Sequence, residues 1–185
     1  MLSACLAVAA LCNGTQAATE IVPFDVQVPL VLKALSYDRS LKSRVADNVR
    51  IAVLTPAGGT RDVVQDLNAS LNSLPSRSLD GLPVTFKEIA RGEEGSLDRA
   101  LRAGRWAAVY VMPGFTPQEL AQIRRTCEAA HVLLVGADPD DIERGTAFAI
   151  AARDGKPVIV VNLPATRACG SDFDLALLRL ARVIQ

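Results

Sequence analysis

Apolar positions along the chain switch between two spacings, and the switches divide it into elements. Val28, Leu32 and Leu35 recur at helical spacing, with Pro29 as a start signal, and predict a first helix over 28–45. Residues 48–54, NVRIAVL, are rich in β-branched side chains and stop at the turn cluster Thr55-Pro56-Ala57-Gly58-Gly59, as a core strand does. Val63, Val64, Leu67, Leu71 and Leu74 then keep a 3.6-residue period until Pro75 blocks it. The unit repeats as a strand over 82–89, a helix over 96–103 carrying Leu97, Ala100 and Leu101, and a strand over 106–112. That last run, WAAVYVM, is apolar almost throughout and belongs at the centre of a sheet covered on both faces. Thr116-Pro117-Gln118-Glu119 supplies an N-cap, an N1 proline and a capping-box acid for a helix striped by Leu120, Ile123 and Cys127. A further buried strand occupies 131–135.

Strands separated by helices imply right-handed crossovers. The fold class is therefore three-layer α/β, with a mainly parallel sheet and helices on both faces. The pattern changes near the end. Residues 146–152 and 158–162 are two strands joined through Arg153-Asp154-Gly155-Lys156, and Asp-Gly marks a tight hairpin, so an antiparallel hairpin closes the sheet. The last segment, FDLALLRLARVIQ, reads as a helix capped by Ser171 or Asp172. Leu177, Leu180, Ala181 and Ile184 face its core side and Arg179 and Arg182 face water.

Composition narrows the function classes. Half of the 185 residues are hydrophobic, enough for one domain with a real core. Twenty basic residues balance twenty acidic ones with no cationic cluster, so nucleic acid is not an expected partner. One histidine, His131, removes most metal sites and the commonest general base. It follows a helix, and its imidazole reads as a partner of the helix dipole.

The first nineteen residues form an uncharged, mostly apolar run ending in small residues, with Thr15-Gln16-Ala17 as a cleavage pattern. Residues 1–17 therefore read as a signal peptide, although no basic residue precedes Lys33. The competing reading, a buried N-terminal helix, lacks support because the run has no polar face. The expected location is outside the cytoplasm, in the periplasm. Cys5 and Cys12 would leave with the signal, and for the remaining Cys127 and Cys169 two readings stay open: one disulfide, or two buried thiols.

Candidate chemistry is sparse. Residues 56–60 lie between a strand and a helix but match no phosphate-binding motif and read as a tight turn. Asp138, Asp140, Asp141 and Glu143 crowd another loop, without the alternation and central glycine of a calcium site, and read as acids at a helix start. No nucleophile pattern is present. The sequence thus names no catalytic residue, cofactor or metal ligand and points to a binding protein, not an enzyme. Open α/β sheets bind ligands beyond the C-terminal strand ends, so segments 56–60, 113–116 and 138–141 should converge if the protein is a small-ligand receptor.

The run GTAFAIAARDGKPVIVVNLPATRACGSDFDLALLRLARVI resembles the C-terminal signature of the YfiR-like family, small bacterial periplasmic proteins whose name-giving member represses a membrane diguanylate cyclase. The resemblance rests on Gly145, Phe148, the Asp154-Gly155-Lys156 turn, Asn162, Ala165, Arg167, Gly170 and the block Leu177, Leu178, Arg179, Leu180, Ala181. These positions read as structural: glycines as backbone punctuation, Asn162 as a cap, leucines as core. The resemblance implies regulation by protein binding, with a membrane sensor protein such as a diguanylate cyclase as partner and cyclic-di-GMP signalling as the output. It also leaves room for a homodimer. The expected organisation is a signal peptide over 1–17, an N-terminal extension and first helix over 18–47, and a YfiR-like α/β domain over 48–185.

Overall fold

The computed structural model describes residues 21–57, 62–89 and 95–185. In chain order the elements are α1 (Phe24–Ser36), α2 (Leu41–Arg44), β1 (Val49–Leu54), α3 (Val63–Asn72), β2 (Ser78–Leu79), β3 (Leu82–Glu88), α4 (Ser96–Ala103) and β4 (Trp106–Val111). They continue with α5 (Pro117–Ala130), β5 (Leu133–Gly136), a 3-10 turn (Pro139–Ile142), β6 (Phe148–Arg153), β7 (Lys156–Asn162), α6 (Leu163–Ala168), α7 (Leu175–Leu180) and β8 (Arg182–Ile184). The eight strands form one sheet in the order β2-β3-β1-β4-β5-β6-β7-β8. Pairing is parallel from β3 through β1, β4 and β5 to β6, antiparallel between β6 and β7, and parallel again between β7 and β8.

Successive residues of a strand point to opposite faces, and each face here has its own apolar cover. Ile51, Val53, Tyr110, Leu133, Val135, Phe148 and Ile150 pack on one side with Val28, Val31 and Leu35 of α1, Leu67 and Leu71 of α3, and Leu177 of α7. Ala52, Leu54, Val109, Val111 and Leu134 pack on the other side with Leu101 of α4 and Leu120, Ile123 and Cys127 of α5. This is the three-layer α/β arrangement, with β4 buried along its whole length. The N-terminus of α5 has the full capping box: Thr116 accepts from the Glu119 amide and the Glu119 carboxylate accepts from the Thr116 amide.

Several elements depart from the sequence expectation. The first helix begins at Phe24, holds Pro29 within it and stops at Ser36, with α2 a separate turn. Proline lacks an N–H, so the helix gives up one ladder bond there and is held instead by its buried face. A short strand, β2, pairs antiparallel with β3 through Asp80 and Gly81, both at positive φ (52° and 84°). The β6–β7 hairpin uses the same dipeptide at Asp154 and Gly155 (51° and 71°), and Arg153 pairs directly with Lys156.

The hairpin does not close the sheet, because β8 adds outside it. The terminal segment is correspondingly not one helix. Asp174 caps α7 by accepting from the Ala176 amide, in place of Ser171 or Asp172, and the helix ends at Leu180 as Ala181 turns extended. Val183 and Ile184, β-branched, then find a strand partner in Val161 and Asn162. With the helical phase cut short, Leu177 is buried at 1% exposure while Leu180 is 73% exposed, opposite to the expected core position.

Candidate partner-binding surface

The C-terminal ends of the parallel strands are the first place to look for a ligand. The order β3-β1-β4-β5 reverses direction between β1 and β4, where such sheets open a crevice. The chain leaves these strands in register: the Met112 amide donates to the Leu54 carbonyl and the Ala137 amide to the Val111 carbonyl, both at 2.9 Å. The first two of the following loops meet. Pro56 Cγ lies 3.3 Å from where a Cβ on Gly114 would stand, and Gly114 has φ +103°. Residues 58–60 of the first loop lie outside the described residues, as does the signal-peptide segment 1–17.

In the third loop Asp138 caps the 3-10 turn by accepting from the Asp140 amide, as the helix-start reading expected. Asp141 is buried and paired with Arg144 at 3.1 Å. Burial first, then the neighbouring Asp138, pushes its carboxyl above the usual carboxylate range. Among the described residues no group of three or more His, Cys, Asp or Glu side chains could hold a metal ion. Beneath this end, fully buried Gln27 of α1 donates to the carbonyls of Val22 and Ala137 and accepts from the Tyr110 hydroxyl. Burial raises the Tyr110 phenol far above its ordinary value, so the hydroxyl serves as a fixed donor.

At the opposite end the chain's two halves are clasped. The Asp38 side chain, fully buried, accepts from the amides of Ser40 (2.9 Å) and Asp172 (3.1 Å) and from the Arg44 guanidinium. Arg44 also donates to Ser171 Oγ at 2.6 Å, and Arg39 pairs with Asp172 and Asp174 on the surface.

Several signature residues lie near this clasp and the start of β6. Phe148 meets Phe173 edge-on at 5.9 Å. Asn162 caps α6 by accepting from the Ala165 amide at 3.0 Å. Gly145 (φ +99°) lies under Arg124, whose Cδ would be 2.5 Å from an added Cβ, and Gly170 lies under His131. His131 is itself a left-handed C-cap of α5 (φ 53°), so its backbone ends the helix while its ring covers Gly170. Leu178 and Ala181 are half-buried. Cys127 and Cys169 are buried free thiols belonging to the cores on opposite faces of the sheet. Burial pushes both up, Cys169 to about 11.

One stretch of sheet has no helix over it among the described residues. Strand register puts Ala149 and Ala151 of β6, Val158 and Val160 of β7, and Arg182 and Ile184 of β8 on the face that α4 and α5 cover elsewhere. Among the described residues Ile142 of the 3-10 turn packs there, burying Ala149 and Val160. The result is a groove of about 400 Å³ with Ala151, Val158, Val160 and Ile184 in it, Asp140 and Glu143 on one side, and Arg153 and Arg182 as its cations. The sequence offered one clue to it. The run Val158 to Val161 is apolar on both strand faces. Leu180 (73% exposed) and Leu175 (62%) add apolar surface to the same chain end.

Among curated proteins none matches this sequence. Solved structures with a similar fold include a conserved domain protein from Vibrio cholerae O1 biovar El Tor, at TM-score 0.59 and 15% identity over 88% of this chain and 60% of that one. The ABC domain in complex with L-Trp from Streptococcus pneumoniae gives TM-score 0.59 and 14% identity, over 88% of this chain and 62% of that one. A ligand-free, open substrate-binding protein with adhesive properties from Clostridium difficile gives 0.52 and 10%, over 89% and 60%. At these identities the likeness is one of fold, and the chain spans about three fifths of each neighbour. The YfiR/HmsC-like family pattern runs over residues 25–182, from the first turn of α1 into β8, and on that match the chain belongs to the YfiR/HmsC-like family.

Proposed function

We propose that this protein is an exported, periplasmic regulator that acts by binding another protein, the sensor part of a membrane diguanylate cyclase, and so sets cyclic-di-GMP synthesis. The observation that carries the reading is the family match across residues 25–182. The absence of a nucleophile pattern from the sequence agrees with a binding role, and no helix among the described residues is long and apolar enough to cross a membrane. On this reading residues 1–17 are removed on export. The test is reconstitution: purified residues 18–185 are added to the detergent-solubilised cyclase and cyclic-di-GMP formation is followed. Lowered synthesis is expected. A synthesis rate unchanged at saturating protein overturns the reading.

A periplasmic small-ligand receptor is the second reading, supported by the fold shared with a substrate-binding protein and with a domain solved in complex with L-Trp. The first two loops at the crevice that such receptors use touch at Pro56 and Gly114.

A further inference from the structure

A strand at the edge of a sheet presents a row of N–H and C=O groups with which another chain can pair. β3 comes close to being such a strand, because β2 pairs only Ser78 and Leu79 with Pro83 and Leu82. The backbone groups of β3 alternate in direction. The Ile89 amide turns inward to the Val53 carbonyl at 3.1 Å, whereas the Val84 amide turns outward to the Arg77 carbonyl at 2.9 Å. The same alternation sends the backbone groups of Phe86 and Glu88 outward.

Phe86 has a partner that is not a strand. The Asn68 carboxamide, reaching over from α3, accepts from the Phe86 amide at 3.3 Å and donates to the Phe86 carbonyl at 3.1 Å. A carboxamide carries the donor and the acceptor of one peptide group, so this side chain does what one residue of an added strand would do. Its Nδ2 also donates to the Val64 carbonyl, one turn back, at 2.9 Å, which holds the group in place. Asparagine is a weak helix former and stands here inside α3, so the helix itself has no need of it. Beside the contact lies a cleft of about 450 Å³ with Asn68, Asn72, Arg77 and Thr85 on its walls, which gives a chain room to approach. Identical copies present identical edges, so two unguarded β3 strands would pair antiparallel about a two-fold axis. We infer that Asn68 is an edge guard: by taking both outward groups of Phe86 it keeps β3 from pairing with β3 of a second copy of this chain.

The test uses the protein as cells produce it. Asn68→Ala removes both bonds to Phe86 and puts a good helix former in α3. Sedimentation over a concentration series should show self-association strengthened roughly tenfold or more over wild type. Hydrogen exchange should find the Phe86 amide less protected in the dilute variant and protected again as concentration rises. Asn68→Asp still accepts from the Phe86 amide and sets a charge on the edge, so it should associate no more than wild type. Glu88→Pro removes the next outward N–H, at a place where an edge strand tolerates proline. Added to Asn68→Ala, it should return association to the wild-type value, which it could not do if Asn68 only supported the fold. Wild-type association in folded Asn68→Ala protein overturns the inference, and so does association that Glu88→Pro leaves in place. Should circular dichroism show Asn68→Ala unfolded, the near-isosteric Asn68→Leu takes its place under the same criteria. Unfolding of both assigns Asn68 to the stability of the fold and overturns the guard.

Discussion

His131 lies over Gly170: its Nδ1 is 3.2 Å from where a Cβ on residue 170 would stand, and Gly170 has φ +73°. The glycine is thus required twice, by its backbone and by its neighbour. Gly155 has nearly the same φ, +71°, with nothing within 4 Å of an added Cβ. Gly155→Ala should cost only the left-handed penalty, about 1–2 kcal/mol. Gly170→Ala should cost more, and the excess should vanish in a His131→Gly background. Urea denaturation of the variants checks this; equal losses at 155 and 170 would remove the His131 contact as a cause.

The Asp38–Arg44 pair should dominate the electrostatic contribution to stability. Removing one member of a buried pair leaves the other uncompensated and costs about 3–5 kcal/mol. Asp38→Ala also strips the acceptor from the Ser40 and Asp172 amides. The exposed Asp98–Arg102 pair is the control, where Arg102→Ala should change stability by about 0.5 kcal/mol or less. Denaturation at low and high salt separates them, since only the exposed pair is screened.

The two leucines of α7 should behave oppositely. Leu177→Ala leaves a cavity in the core and should cost about 2–5 kcal/mol, whereas Leu180→Ala should stay within about 0.5 kcal/mol. Thermal melts decide it. A destabilising Leu180 change would mean that the terminal residues continue as helix and that β8 does not form.

The buried thiols give a pH dependence. Cys169 titrates at about 11 in the fold against 9.0 when free, so between those values the folded state holds a proton that the unfolded chain has released. Its contribution to stability is therefore full below pH 9 and is lost as pH rises through about 11. Cys169→Ala should flatten the alkaline limb of the stability curve over that window. Iodoacetamide at pH 8 should modify neither Cys127 nor Cys169 until urea is added.

Export predicts a mature mass lacking residues 1–17. A protein isolated with Met1 retained would return this segment to the fold and remove the oxidising compartment from the argument.

What could be read in advance was whatever local chemistry controls. The α5 capping box, the Asp154-Gly155 hairpin and the buried β4 each follow from a few adjacent residues. Asp80-Gly81 carries the same hairpin signal as Asp154-Gly155, but with only Ser78 and Leu79 before it there is no alternating run to reveal β2. The misread elements are those that long-range packing decides. Pro29 stays inside α1 because Val28, Val31 and Leu35 bury around it. The helical spacing of Leu177, Leu180 and Ile184 gives way to a strand because β7 has an open edge to offer, which no window around Leu180 contains.

The clasp at Asp38 has a consequence for how this molecule is made. Asp38 and Asp172 are 134 positions apart, so the contact closes nearly the whole chain into a loop. A chain emerges N-terminus first, and until the segment around Asp172 arrives, Asp38 and Arg44 have no Ser171 or Asp172 to meet. The closure entropy of so long a loop grows only slowly with length, but it must be met before the contact gives any return. The nascent chain is therefore held short of its final state until residues near its end are present, and the clasp beyond α1 closes only when Ser171 and Asp172 have been synthesised.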